Sequence, residues 1–153
     1  MADDDDRVIA TGTLERGFAW ALEVGGTDEE YWTGLRLTGP DGRDEAGGMA
    51  GPKLWGDDLL NTYTARNDDG PLTVVVRADP TVYRVLLVDL DGAENELTAC
   101  GDGVVDGLRF YIGFARPSTP GGPLGLREVR GLNASGAVVE TYDLSFWDHM
   151  DRH

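Results

Sequence analysis

Histidine is almost missing from this sequence: there are two, His149 and His153, both in the tail. A Ser-His-Asp or Cys-His arrangement would need one of them to fold back over the chain, so histidine catalysis is set aside. Cysteine is single. Cys100 can form no internal disulfide, gives no sign of an oxidising compartment, and has no base beside it, so it reads as a small buried thiol in a strand. Lysine is also single, Lys53 being the one lysine among 13 basic residues, and basic clusters are absent beside 28 acidic residues and a net charge of -15. Nucleic acid is therefore excluded as a ligand, because phosphate binding rests on clustered Lys and Arg. No apolar run approaches the ~18 residues of a membrane span. The N-terminus, Met-Ala followed by Asp3 to Asp6, is the opposite of a basic-then-apolar leader, so the expected location is cytoplasmic, with no membrane partner. No segment keeps a helical period over ten residues or more; Trp147 to Arg152 has room for a single turn.

What is present points to strands. A chain of 153 residues suits one domain, and 22 glycines with 7 prolines favour short elements joined by turns. Residues 1–6 read as an acidic disordered tail, 7–146 as a single β domain and 147–153 as a C-terminal tail. From Arg7 to Val24 two strands fold at Arg16-Gly17, the second placing Phe18, Trp20, Leu22 and Val24 on one face. Tyr31 to Thr38 follows, with Tyr31, Leu35 and Leu37 on one face and Trp32 and Arg36 on the other. Gly39 to Asp58 shows no sustained period and holds six glycines and two prolines. It reads as a long loop, and long loops in compact domains commonly carry function. Leu59 to Arg66 returns to a strand. Leu72, Val74, Val76 and Ala78 then form an inward face, with Thr73, Val75 and Arg77 opposite.

Asp79-Pro80 breaks the chain before Val82 to Leu90, which is rich in β-branched residues, ends at the hairpin signal Asp91-Gly92 and reads as the central strand. Glu94 to Cys100 is a polar strand. Leu108, Phe110, Ile112 and Phe114 give the cleanest alternation, and Gly125 to Leu132 and Ala137 to Leu144 form a hairpin through Asn133 to Gly136. The spacing predicts an all-β antiparallel sandwich of about nine or ten strands.

The stretch from Leu72 to Leu144 resembles a group of uncharacterised actinobacterial proteins. The shared pieces are the strand Val74 to Val76, the turn Ala78 to Pro80, Val82 to Gly92 in the form V-x-R-V-x-L-x-x-x-D-G, the Phe-rich Leu108 to Phe114 and Ser135 to Tyr142. Gly17, Trp20, Leu35 and Gly47-Gly48 extend it into the first half. The resemblance implies an immunoglobulin-like β-sandwich with no assigned activity.

Three chemistries compete for this chain. Trp32, Met49, Trp55 and Tyr63 lie in or around the loop Gly39 to Asp58 and are candidates for binding a protein or small ligand, since exposed aromatics anchor partners. Such a module would be non-catalytic, and the acidity suits a basic protein partner. Asp89, Asp91 and Asp102, with Asp106 near them, offer hard oxygens for Ca²⁺ and so a Ca²⁺-assisted carbohydrate-binding module or hydrolase. Asp before Gly is also an ordinary turn residue. The third reading is an acidic inhibitor that mimics nucleic acid. Gly47 to Lys53 fails as a phosphate loop because Pro52 interrupts it and Leu54 replaces the hydroxyl residue.

Overall fold

The structure, a computed structural model, describes residues 7–66, 71–115 and 124–145, apart from the side chains of Glu15, Arg66 and Asp102. Alternation of apolar residues at period two dominates these segments, and the described residues form twelve strands: β1 (Arg7–Thr13), β2 (Ala19–Gly26), β3 (Tyr31–Thr38), β4 (Asp44–Met49), β5 (Leu60–Arg66), β6 (Leu72–Ala78), β7 (Arg84–Asp89), β8 (Glu94–Glu96), β9 (Thr98–Val105), β10 (Leu108–Ala115), β11 (Leu126–Leu132) and β12 (Val138–Asp143). They pair antiparallel in three four-stranded sheets: β1-β2-β3-β4, β5-β6-β10-β9 and β12-β11-β7-β8. The all-β antiparallel expectation holds, and the strands exceed the nine or ten expected.

The second sheet is the middle layer. On one face Val74, Val76, Ala78 and Tyr111 share a core with Val85, Leu87 and Val129 of the third sheet. On its other face Val75, Phe110 and Ile112 share a core with Leu22, Val24 and Leu35 of the first. Every residue of β6 is therefore buried, and the expectation of one inward face for this strand is corrected. The sequence Leu-Thr-Val-Val-Val-Arg-Ala carries the reason, since a strand covered on both faces reads as a nearly continuous apolar run.

The strand expected to be central is an inner strand, paired on both edges, but of an outer sheet and not of the middle layer. β7 sits in the third sheet between β11 and β8. Its Val85 and Leu87 face the core, while Leu86 and Val88 form a small cluster with Leu132 on the other face. Ion pairs Arg84–Glu96, Arg130–Glu94 and Arg130–Glu128 border that cluster, and their aliphatic stems shield it from water. The polar strand expected from Glu94 to Cys100 is split at Leu97, which is buried between the layers and donates its N–H to Val85 O at 2.8 Å. There the chain crosses from the third sheet to the second.

The long loop Gly39 to Asp58 is also corrected: β4 occupies its middle and pairs with β3. Its glycines are there for close approach. A Cβ at Gly48 would stand 2.1 Å from Thr33 O, and one at Gly47 would stand 2.2 Å from the Tyr63 hydroxyl. A strand that must pass so near its neighbours loses its alternating pattern. The irregular remainder is the β3–β4 turn at 39–43 and the segment 50–59 that leads into β5.

Candidate functional site

One end of the first sheet, where β2 turns into β3, is closed by polar contacts that start from a buried cation. Arg77 of β6 is fully buried on the face toward the first sheet. Its guanidinium donates to Tyr31 O and Thr33 Oγ1, both at 3.2 Å, and to Pro52 O at 2.6 Å, while Nε has no partner. Among the described residues no carboxylate answers this charge. Burial lowers the Arg77 pKa, and the Tyr31 ring, 5.8 Å from the guanidinium carbon, offers its π face in partial compensation.

Around Tyr31 the chain gathers four charged groups. The buried phenol donates to Asp106 Oδ2 at 2.7 Å, and Arg7 donates to the same oxygen at 2.6 Å. Lys53 pairs with Asp28 at 2.8 Å, donates to the Asp106 carbonyl and lies 5.4 Å from the centre of the Tyr31 ring. Burial first, and then the Asp106 carboxylate, raise the phenol pKa well above its ordinary value. The same hydrogen bond, together with Arg7, holds Asp106 below the usual carboxylate range. Asp106 occupies the β9–β10 turn with φ of 56°, a conformation Asp tolerates better than most residues.

These contacts fix the segment 50–59. Gly51 O accepts from Tyr31 N at 2.7 Å, and Lys53 N donates to Asp28 O at 3.1 Å. Trp55 N donates to Asn61 Oδ1 at 3.2 Å, and Trp55 O accepts from Asp58 N at 2.9 Å. Gly51, at φ of 111°, lies under the Trp55 ring, where a Cβ would come within 2.7 Å. Trp55 is nevertheless 51% exposed. A large indole thus stands in solvent on a backbone held from below, next to the exposed Asp57 and Asp58.

The four aromatic and sulfur candidates are spread over different surfaces. Trp32 lies on the outer face of the first sheet, across Gly34. Met49 ends β4 opposite Thr33. Tyr63 lies between the first and second sheets, its hydroxyl under Gly47. Trp55 alone of the four is exposed.

The carboxylates are likewise divided. Asp89 ends β7, Asp91 sits in the following turn and accepts from Ala93 N at 3.1 Å, and Asp102 belongs to β9 in the second sheet, its side chain outside the described ones. Asp89 is raised in pKa by burial and then by the nearby charge of Asp91. Among the described residues no group of three or more His, Cys, Asp or Glu converges as a metal would require. Asp106 is engaged by a phenol and an arginine instead. Cys100 is buried, its thiol pushed up to about 12 by that burial, which suppresses the reactive thiolate. His149 and His153 lie outside the described residues.

Sequence reasoning missed the Arg77 and Asp106 contacts. One signal was available: an arginine inside the apolar run Thr73 to Ala78 needs an internal partner once both faces of that strand are covered. Asp106, as Asp before Gly, looked like any other turn. No family model matches this chain, and neither a curated protein nor a solved structure gives a match.

Proposed function

We infer that this protein is a non-catalytic recognition module that binds a protein partner through the segment 50–59, with Trp55 as the anchor. The observation that carries this reading is an exposed indole on a segment tied down through Arg77, Lys53 and Asn61. Anchors of this kind contribute most when they are aromatic and already ordered, because little freedom is left to lose on binding. Asp57 and Asp58 beside the indole, and the net charge of -15, favour a basic partner. The packing of β5-β6-β10-β9 on β12-β11-β7-β8 supports an immunoglobulin-like sandwich as the finer fold, and all of these strands but β5 lie in the stretch that carries the family resemblance.

A displayed library of short peptides tests the reading. Binders selected on the wild type should be rich in Arg and Lys and should lose about tenfold or more in affinity on Trp55→Ala, as a hot-spot residue would. Binders indifferent to Trp55→Ala would exclude this segment as the recognition surface.

A further inference from the structure

At its other end the first sheet carries the β1–β2 and β3–β4 turns, and between them lies a cleft of about 300 Å³, at the small end of the range for ligand sites. Phe18, Leu37 and Pro40 give it an apolar floor, and four charged residues rim it. Two of these satisfy each other. Arg43 Nε lies 3.4 Å from Asp41 Oδ2, and Arg43 N donates to Asp41 Oδ1 at 3.0 Å.

The side chains of the other two, Arg16 and Glu45, make no hydrogen bond or ion pair with any described residue. Every other described cationic side chain has a partner within the chain. Arg16 also stands in the left-handed region, at φ of 66° and ψ of 19°, where a long side chain is disfavoured and Gly or Asn is usual. The strained position thus holds a free guanidinium at the mouth of an apolar cleft, with a free carboxylate on the same rim. A simple anion would meet Glu45, a simple cation would meet Arg16, and a neutral apolar molecule would desolvate both charges without replacing their water.

We propose that this cleft binds a small zwitterion with an apolar body, of the class of an apolar or aromatic amino acid. Its carboxylate lies on the Arg16 fork, whose paired N–H donors match carboxylate geometry. Its ammonium lies on Glu45, and its side chain rests on Phe18 and Leu37. The site is at the opposite end of the first sheet from the segment 50–59 and does not depend on what Trp55 binds.

Titration of ¹⁵N-labelled protein with L-phenylalanine, 3-phenylpropionate and 2-phenylethylamine tests the proposal. The expected result is saturable shifts at 16–18 and 39–45 with L-phenylalanine, its affinity about tenfold above the other two, the difference one charge-assisted contact makes. Arg16→Gly, which suits the left-handed backbone and so preserves the fold, should weaken L-phenylalanine by a similar factor, as should Glu45→Gln, while Trp55→Ala leaves it unchanged. Absence of saturable shifts at the cleft, equal binding of all three probes, or full affinity in Arg16→Gly would overturn it.

Discussion

The two ends of the first sheet are built from the same materials and finished in opposite ways. Both have turns, arginines and carboxylates close to large apolar residues. At the β2–β3 end, Arg77, Arg7 and Lys53 are each drawn into contacts with the chain, and the segment 50–59 is tied over them. At the β1–β2 end, the side chains of Arg16 and Glu45 have no partner among the described residues and border an open cleft. The difference teaches where order is imposed and where binding capacity is left. Internal partners hold the first end in place, while unspent charge at the second is available to a ligand.

The sharpest way to break this contrast is Arg77→Ala. It leaves the Tyr31 and Pro52 carbonyls and the Thr33 hydroxyl without their donor at a buried position, and it should cost about 3 to 5 kcal/mol in urea unfolding, at about 1 to 3 kcal/mol for each group left unsatisfied. A loss below about 1 kcal/mol would mean the closed end is not held from Arg77. Gly48→Ala drives a Cβ into Thr33 O, and should cost about 1 to 3 kcal/mol, or more if β4 cannot shift. Comparing its effect with that of Gly56→Ala, where a Cβ meets nothing and the cost is that of a left-handed backbone at φ of 55°, separates close approach from backbone strain.

Asp106→Asn sharpens the comparison through pH. The folded-state pKa of Asp106 is depressed, so its contribution is present above the ordinary carboxylate range and is lost as pH falls through the depressed value. Asn accepts the same left-handed backbone. The variant should therefore be less stable than wild type at pH 7, with the gap closing in acid. A gap independent of pH would remove the charge from the explanation. Arg16→Gly should have the smallest effect on stability, neutral or a gain of at most about 1 kcal/mol, since it relieves a left-handed arginine while loosening the unfolded chain. A clear loss in its thermal midpoint would show that Arg16 supports the fold and is not free for a ligand.

Much of the fold was legible because alternation is a local signal. The turn at Arg16-Gly17, the faces of β2 and β3, the break at Pro80 and the final hairpin all follow from residues within a few positions of each other. Layer order was not legible. Val82 to Leu90 is the more regular strand, yet the middle of the molecule is β6 and β10, because burial on both faces depends on which sheets come to cover them. β4 was hidden for a related reason. Gly47 and Gly48 answer to Tyr63 and Thr33, not to their own neighbours. Trp55 was singled out from its sequence, but its rigid footing was not, since Arg77, Asp28 and Asn61 reach it only through the fold.

Hydrogen exchange at the Lys53 and Trp55 amides tests the central claim most directly. Both amides are bonded within the closed end, so they should be protected in the wild type and should lose that protection together in Arg77→Met, which keeps the volume and removes the donors. Exchange at the unprotected rate in the wild type would contradict the account, since Trp55 would then stand on a segment with no fixed geometry to present.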